Sequence, residues 1–152
     1  GWRALQQSTH DNAWVVFWTL HEYGIAVKGP APKTLFRPVP SEQLKAEVRR
    51  VMTTWGATLE QNPAEISSVW YQSFAVLTYA RMLHTLHTGR VHSKLSAVKW
   101  SRTALGPKWV GLVERAWRER PNPSLKIQQP PNPAEVGLTL DFIRHARRES
   151  GA

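Results

Sequence analysis

The chain has 152 residues, of which 41% are hydrophobic and 20% charged, a composition typical of a globular domain rather than a disordered segment. It contains no cysteine, which excludes disulfides and any zinc or redox site built on thiolates. No apolar run reaches the ~20 residues of a membrane-spanning helix and no secretory signal opens the chain, so we expect a cytoplasmic protein with no membrane partner.

The net charge of +9 favours anionic partners such as nucleotides, nucleic acid or acidic lipid. The charges are unevenly distributed, because no Asp or Glu occurs between Glu65 and Glu114. This interval predicts a positively charged surface. A solvated basic face that binds no ligand is the alternative interpretation.

Two segments are expected from composition. Residues 1–10 are polar and are interpreted as a linker or frayed start, and residues 11–152 as a single helical domain. The first residue is Gly rather than Met, from which we expect the natural start to lie upstream. A first helix is expected after a cap at Asp11 or Asn12 and is expected to end at Gly24.

The remaining helices follow from caps, prolines and apolar spacing. Ser41 is expected to cap a second helix and Pro63 to begin a third, which is apolar most of the way round and therefore buried at the centre of a bundle. Further helices are expected at 93–105, from Pro107 and from Pro133. No strand alternation is sustained. The predicted fold is an all-α bundle of about five to six helices.

One turn in the basic interval has the features of an anion site. Gly89 is expected to end the long third helix, and Ser93 to cap the next helix with Lys94 in its first turn. A cation beside the free N–H groups of a helix N-terminus attracts phosphate. Arg81, on the preceding helix, would come alongside if the two helices pack as a hairpin. In the alternative interpretation the turn binds no ligand: Gly89 only ends a helix, Ser93 only caps the next one, and Lys94 is solvated.

No residue pattern makes a self-sufficient active site. The chain has no Walker loop, HExxH or GxSxG motif, so we assign no catalytic residue. The spacing of His84, His87 and His92 invites a metal site, but neither Cys nor a carboxylate lies nearby in sequence, and we assign no metal.

A second function class remains open at this point. Basic and aromatic residues occur together at Lys99, Trp100 and Arg102, and the last helix has a basic end. Such mixtures are typical of nucleic-acid surfaces. A stand-alone helical interaction or nucleic-acid-binding module is therefore the alternative function.

Four short motifs around the turn carry a family resemblance: Val76-Leu77-Thr78-Tyr79-Ala80-Arg81, Thr88-Gly89-Arg90, Ser93-Lys94 and Ala97-Val98-Lys99-Trp100. With weaker matches upstream, they make residues 11–120 resemble the C-terminal helical domain of aminoglycoside (streptomycin/spectinomycin) adenylyltransferases and their uncharacterised relatives. Members of that family provide antibiotic resistance by moving AMP from ATP to a drug hydroxyl.

The resemblance implies a partner domain. Family members carry an N-terminal nucleotidyltransferase domain with a Gly-Ser turn and an Asp-x-Asp pair that holds Mg²⁺, and neither motif occurs in this sequence. It follows that the full-length protein would use ATP and Mg²⁺. This chain alone would hold neither, would be inactive by itself, and would form one wall of the cleft for ATP and acceptor.

The resemblance also assigns residues to the nucleotide. Arg81 and Lys94 match family residues that contact the ATP phosphates, in agreement with the anion site inferred from the turn. Trp117, allowing for a short gap, falls where the family has an aromatic residue near the nucleotide.

The acceptor side departs from the family pattern. Where the family has acidic residues for a cationic aminoglycoside, this chain has Ser67 and Tyr71, and Phe74 stands where a polar residue is expected. We therefore expect Trp70, Tyr71 and Phe74 to face a flatter, less cationic acceptor.

Overall fold

The computed structural model describes residues 12–66, 68–120 and 133–151. Within these residues the chain is helical and has no strand, which confirms the predicted all-α bundle. Six helices are longer than two turns, and the seventh is a single turn, α2. The helices are α1 (Trp14–Tyr23), α2 (Pro32–Leu35), α3 (Ser41–Gln61), α4 (Val69–Thr88), α5 (Lys94–Ala104), α6 (Pro107–Glu119) and α7 (Pro133–Ser150).

Helix α4 lies at the centre of the bundle. It packs against α3, α5, α6 and α7, as its apolar sequence on more than one side predicts. Its buried residues line most of its circumference and join the main hydrophobic core: Gln72, Ser73, Ala75, Val76, Leu77, Tyr79, Ala80, Met82, Leu83, His84 and Thr85. The hydroxyl of Tyr79 donates a hydrogen bond to the carbonyl of Met52 on α3 at 2.9 Å, which satisfies a polar group in this core.

The start of α4 differs from the prediction. Pro63 begins a separate single-turn 3₁₀ helix, Pro63–Ile66, and α4 begins at Val69. Ser68 adopts extended backbone geometry, and its Oγ accepts a hydrogen bond from the N–H of Tyr71 at 3.1 Å. This serine cap satisfies a free N–H group of the first turn and so sets the boundary.

The start of α3 also differs. Ser41 is the first residue of the helix and not its cap, because Pro40 occupies the capping position with extended backbone geometry and no side-chain hydrogen bond. Proline fixes φ near −65°, which suits the residue that leads into a helix.

Helix α1 is capped from a distance. The carboxylate of Glu47, on α3, accepts hydrogen bonds from the N–H of Trp14 at 3.1 Å and of Val15 at 3.0 Å. Ala13 is the capping residue and makes no side-chain bond, so the predicted cap at Asn12 is wrong. The predicted end at Gly24 is confirmed, since its N–H donates to the carbonyl of Leu20.

Some predictions fall on residues that the structure does not describe. The linker at 1–10 and the alternative cap Asp11 are among them, and the division into a linker and one domain stays a prediction. Among the described residues, no helix combines the length and the apolar content that crossing a bilayer requires.

Candidate functional site

The turn between α4 and α5 forms as predicted. Gly89 has a φ of 70°, in the left-handed region, and its N–H donates to the carbonyl of Thr85 at 2.7 Å. The Oγ of Ser93 accepts a hydrogen bond from the N–H of Ser96 at 3.0 Å, and Lys94 is the first residue of α5. The two helices pack against each other, and Arg81 of α4 lies near enough to Lys94 of α5 for its charge to act on that lysine.

One side of α4 remains accessible. Between residues 75 and 85, every residue is buried except Thr78 and Arg81. Tyr71 and Phe74 are partly exposed in the preceding turns. These four residues are spaced by three or four positions and therefore share one face of the helix, which we call the α4 stripe. The stripe joins the predicted acceptor residues to the predicted phosphate residue.

Lys94 reaches this stripe from α5. Its Nζ lies 4.7 Å from the centroid of the Phe74 ring, within cation–π range. Burial lowers the pKa of Lys94, and the positive charges of Arg81 and Arg120 lower it further. Burial also lowers the pKa of Arg81. Since neither cation pairs with a carboxylate of the described residues, an anion bound here would relieve an uncompensated charge.

Arg81 also lines an open cavity of about 500 Å³, within the size range of ligand pockets. Ser93 and Ser96, at the N-terminus of α5, line the same cavity. The wall is completed by residues of α1 and of the α4–α5 connection: Val15, Thr19, Tyr23, Val91 and His92. The cavity thus combines a guanidinium with a helix N-terminus, the two elements that favour a phosphate.

Trp117 lies on α6, partly buried and packed against the main core. The guanidinium of Arg120 covers its ring, with Cζ 3.8 Å from the ring centroid. Sequence reasoning missed Arg120, because nothing in the local sequence distinguishes it from its basic neighbour Arg118. Only its position beside Trp117 and its electrostatic effect on Lys94 mark it out.

The predicted acceptor residues come together at the start of α4. The rings of Trp70 and Phe74 stack with centroids 5.3 Å apart and planes 6° apart, and Tyr71 lies 5.8 Å from Phe74. Trp55 of α3 contacts the same ring of Phe74 edge-on, at 5.9 Å. Ser67, the other position compared with the family, lies outside the described residues.

One residue of the α4 stripe, Thr78, was also missed. Thr78 lies one turn from both Phe74 and Arg81, and its hydroxyl makes no hydrogen bond to a described residue. Most other threonines on described helices bond to backbone carbonyls of their own helix, as Thr85 does to Arg81. The apolar appearance of α4 hides this position, since spacing alone does not reveal which face stays open.

Two of the three histidines, His84 and His92, stack on each other beside Trp100. The ring of His84 lies between His92, 3.7 Å away with planes 8° apart, and Trp100, 5.0 Å away with planes 7° apart. Burial, then the charges of His92 and His87, lower the pKa of His84 to about 4. Within the described ranges, no group of three or more His, Asp or Glu side chains is placed to bind a metal ion.

Two of the three residues that suggested a nucleic-acid-binding surface make contacts with other side chains of the chain. One face of the Trp100 ring lies against His84, and Arg102 pairs with Glu114 at 2.9 Å. Lys99 is exposed. A larger cavity, of about 740 Å³, lies beyond Trp100 and has His87 and His145 in its wall, but none of the predicted nucleotide or acceptor residues.

Comparison with known proteins gives a consistent result. Residues 34–135, more than half of the chain, match the profile of the family described as "Aminoglycoside adenylyltransferase, C-terminal domain". The chain is similar to proteins named aminoglycoside (3'') (9) adenylyltransferase from Klebsiella pneumoniae, Shigella flexneri and Escherichia coli. Each is 26% identical over 95 residues, which cover 62% of this chain and 34% of the relative. The matched part of the chain spans about a third of these relatives.

Proposed function

Because this chain belongs to the family of aminoglycoside adenylyltransferase C-terminal domains, we propose that it forms one wall of a cleft for ATP and an acceptor. The catalytic groups would lie in a separate N-terminal nucleotidyltransferase domain, and this chain would not catalyse alone. One observation carries the proposal: two half-buried cations, Arg81 and Lys94, converge beside the N-terminus of α5 without a carboxylate partner among the described residues.

The donors present suit a polyphosphate. A guanidinium, an ammonium and the free N–H groups of a helix start are all hydrogen-bond donors with positive or partly positive charge. In the proposed reaction, Arg81 and Lys94 stabilise the negative charge that develops on the phosphates during transfer of AMP. Their role is electrostatic, and neither residue moves a proton. Mg²⁺ would neutralise phosphate oxygens from the side of the partner domain, where the family's carboxylates lie.

The aromatic cluster at the start of α4 would form the part of the cleft wall that contacts the acceptor. Trp70, Tyr71 and Phe74 are partly exposed at the start of α4, and the stacked rings of Trp70 and Phe74 suit a planar group. Lys94 places a positive charge directly against this surface. A multiply cationic drug would be repelled there, so the proposed acceptor is flatter and less cationic than an aminoglycoside.

Kinetic measurements test the nucleotide role, using a protein that contains both this chain and the nucleotidyltransferase domain. Replacing Arg81 or Lys94 with Gln removes a charge-assisted bond to phosphate that contributes about 1.5–3 kcal/mol. We expect kcat/KM for ATP to fall roughly ten- to a hundredfold. Lys99→Gln is the matched control, because Lys99 is exposed on the same helix. Unchanged ATP kinetics in both site variants would reject the proposal.

A further inference from the structure

The guanidinium of Arg120 lies over the ring of Trp117. Its guanidinium carbon lies 3.8 Å from the centroid of Trp117, well inside the ~6 Å range of cation–π contacts. The indole is itself packed against the main core, so it provides a rigid platform for a side chain that is otherwise exposed. No carboxylate of the described residues pairs with Arg120.

This guanidinium belongs to a cluster of like charges. The charge of Arg120, at the end of α6, acts on Lys94 of α5 together with the charge of Arg81 of α4. Gathering like charges costs free energy. A stacked guanidinium covers the ring with its plane and keeps its N–H edge free, which is the geometry that binds phosphate oxygens in pairs.

We infer that Arg120 is a third phosphate-binding residue of the nucleotide site and that Trp117 is a positioning residue that holds it. This inference rests on the proposed function and changes the role of Trp117. The covered ring is a support for the guanidinium instead of a surface on which the nucleotide base stacks. Loss of Trp117 would then weaken nucleotide binding only through Arg120.

A double-mutant cycle tests this relationship, in a protein that also contains the nucleotidyltransferase domain. The variants are Arg120→Gln, Trp117→Leu and the two combined, with KM for ATP at saturating Mg²⁺ as the readout. We expect each single substitution to raise KM about tenfold, and the double variant to match Arg120→Gln without further increase. Trp117→Phe keeps an aromatic platform, and we expect it to restore most of the affinity.

Controls separate this result from a loss of folding. Arg118→Gln removes the same charge from an exposed residue in the last turn of α6 and should leave KM unchanged. Arg120 is exposed, so Arg120→Gln remains informative if Trp117→Leu does not fold. An unchanged KM in Arg120→Gln, or additive effects in the cycle, would overturn the inference. If Arg81→Gln and Lys94→Gln weaken ATP use while Arg120→Gln does not, this inference fails and the proposed function stands.

Discussion

Lys94 and Phe74 are in direct contact, with the ammonium nitrogen 4.7 Å from the centre of the phenyl ring. The first residue is a predicted phosphate ligand and the second a predicted acceptor residue. The contact therefore joins the two halves of the proposed site through a single cation–π pair.

Replacing Phe74 with Leu should affect both substrates. The ring loses its attraction for the ammonium, which contributes about 0.5–2 kcal/mol depending on solvent access. We expect KM for ATP to rise a few-fold and KM for the acceptor to rise as well, measured with the nucleotidyltransferase domain present. Trp70→Leu provides the comparison, since Trp70 stacks on Phe74 within the proposed acceptor cluster, and it should change the acceptor KM more than the KM for ATP. A Phe74→Leu effect confined to the acceptor would show that the ring does not hold Lys94 in place.

Gly89→Ala should destabilise the fold. The left-handed φ of 70° costs a residue with Cβ about 1–2 kcal/mol, and that Cβ would lie 2.9 Å from the Cβ of Ser41. The free energy of unfolding, from urea titration, should fall by at least that amount. Gly137→Ala is the matched control, because Gly137 lies within α7 and a Cβ there meets no atom within 4 Å. It should be neutral or stabilise by up to ~1 kcal/mol. Equal effects of the two substitutions would contradict this account of the turn.

Glu47→Ala should loosen α1. Two N–H groups at the start of the helix lose their acceptor, and loss of a cap costs about 0.5–2 kcal/mol. Hydrogen exchange at Trp14 and Val15 should accelerate, whereas the core of α4 should remain protected. Glu42→Ala removes an exposed carboxylate from the same helix as a control and should leave exchange in α1 unchanged. If both variants behave alike, the cap is not what holds α1.

Stability should fall in mild acid because of His84. Its pKa of about 4 in the folded chain lies below the ordinary value of 6.5, since burial and then the nearby His92 and His87 disfavour its charged form. The unfolded chain therefore binds the proton first. The full stability is present above pH 6.5 and is lost as the pH falls to about 4, by ~3 kcal/mol at most.

A His84→Phe variant isolates this effect. Phenylalanine keeps a ring between His92 and Trp100 but takes up no proton, so the decline in unfolding free energy between pH 6.5 and 4 should become shallower. Chemical denaturation across that range measures the slope, which a constant packing penalty does not change. An unaltered slope would assign the acid sensitivity to other groups.

Short sequence patterns were sufficient to predict the turn between α4 and α5. They could not predict contacts between residues that are far apart in the chain. Gly89, Ser93 and Lys94 form what their sequence predicts, because each interaction there spans four residues or fewer. The cap of α1 by Glu47 joins positions more than thirty residues apart, and no local pattern encodes it. The true start of α4 was missed because Pro63, an equally good start signal, precedes it and begins a 3₁₀ turn instead.

The sequence named candidate site residues but not their arrangement in space. Arg81 and Lys94 were identified from charge and from resemblance, but the stripe that joins them to Phe74 depends on where α5, α6 and α7 pack around α4. A helix that is apolar on several sides does not reveal which side its neighbours leave open. Arg120 needed the tertiary structure for the same reason, since only its contact with Trp117 distinguishes it.

The α4 stripe divides one helix into two regions with different freedom to vary. Tyr71 and Phe74 are partly exposed, so substitutions there should cost little folding free energy. Arg81 lies between the buried residues Ala80 and Met82, where the surrounding packing tolerates little change. Under the proposed roles, a change at Tyr71 would alter the acceptor wall alone, whereas a change at Phe74 would also disturb Lys94. If the proposed roles hold, a single helix would let related chains diverge in acceptor without any change of fold.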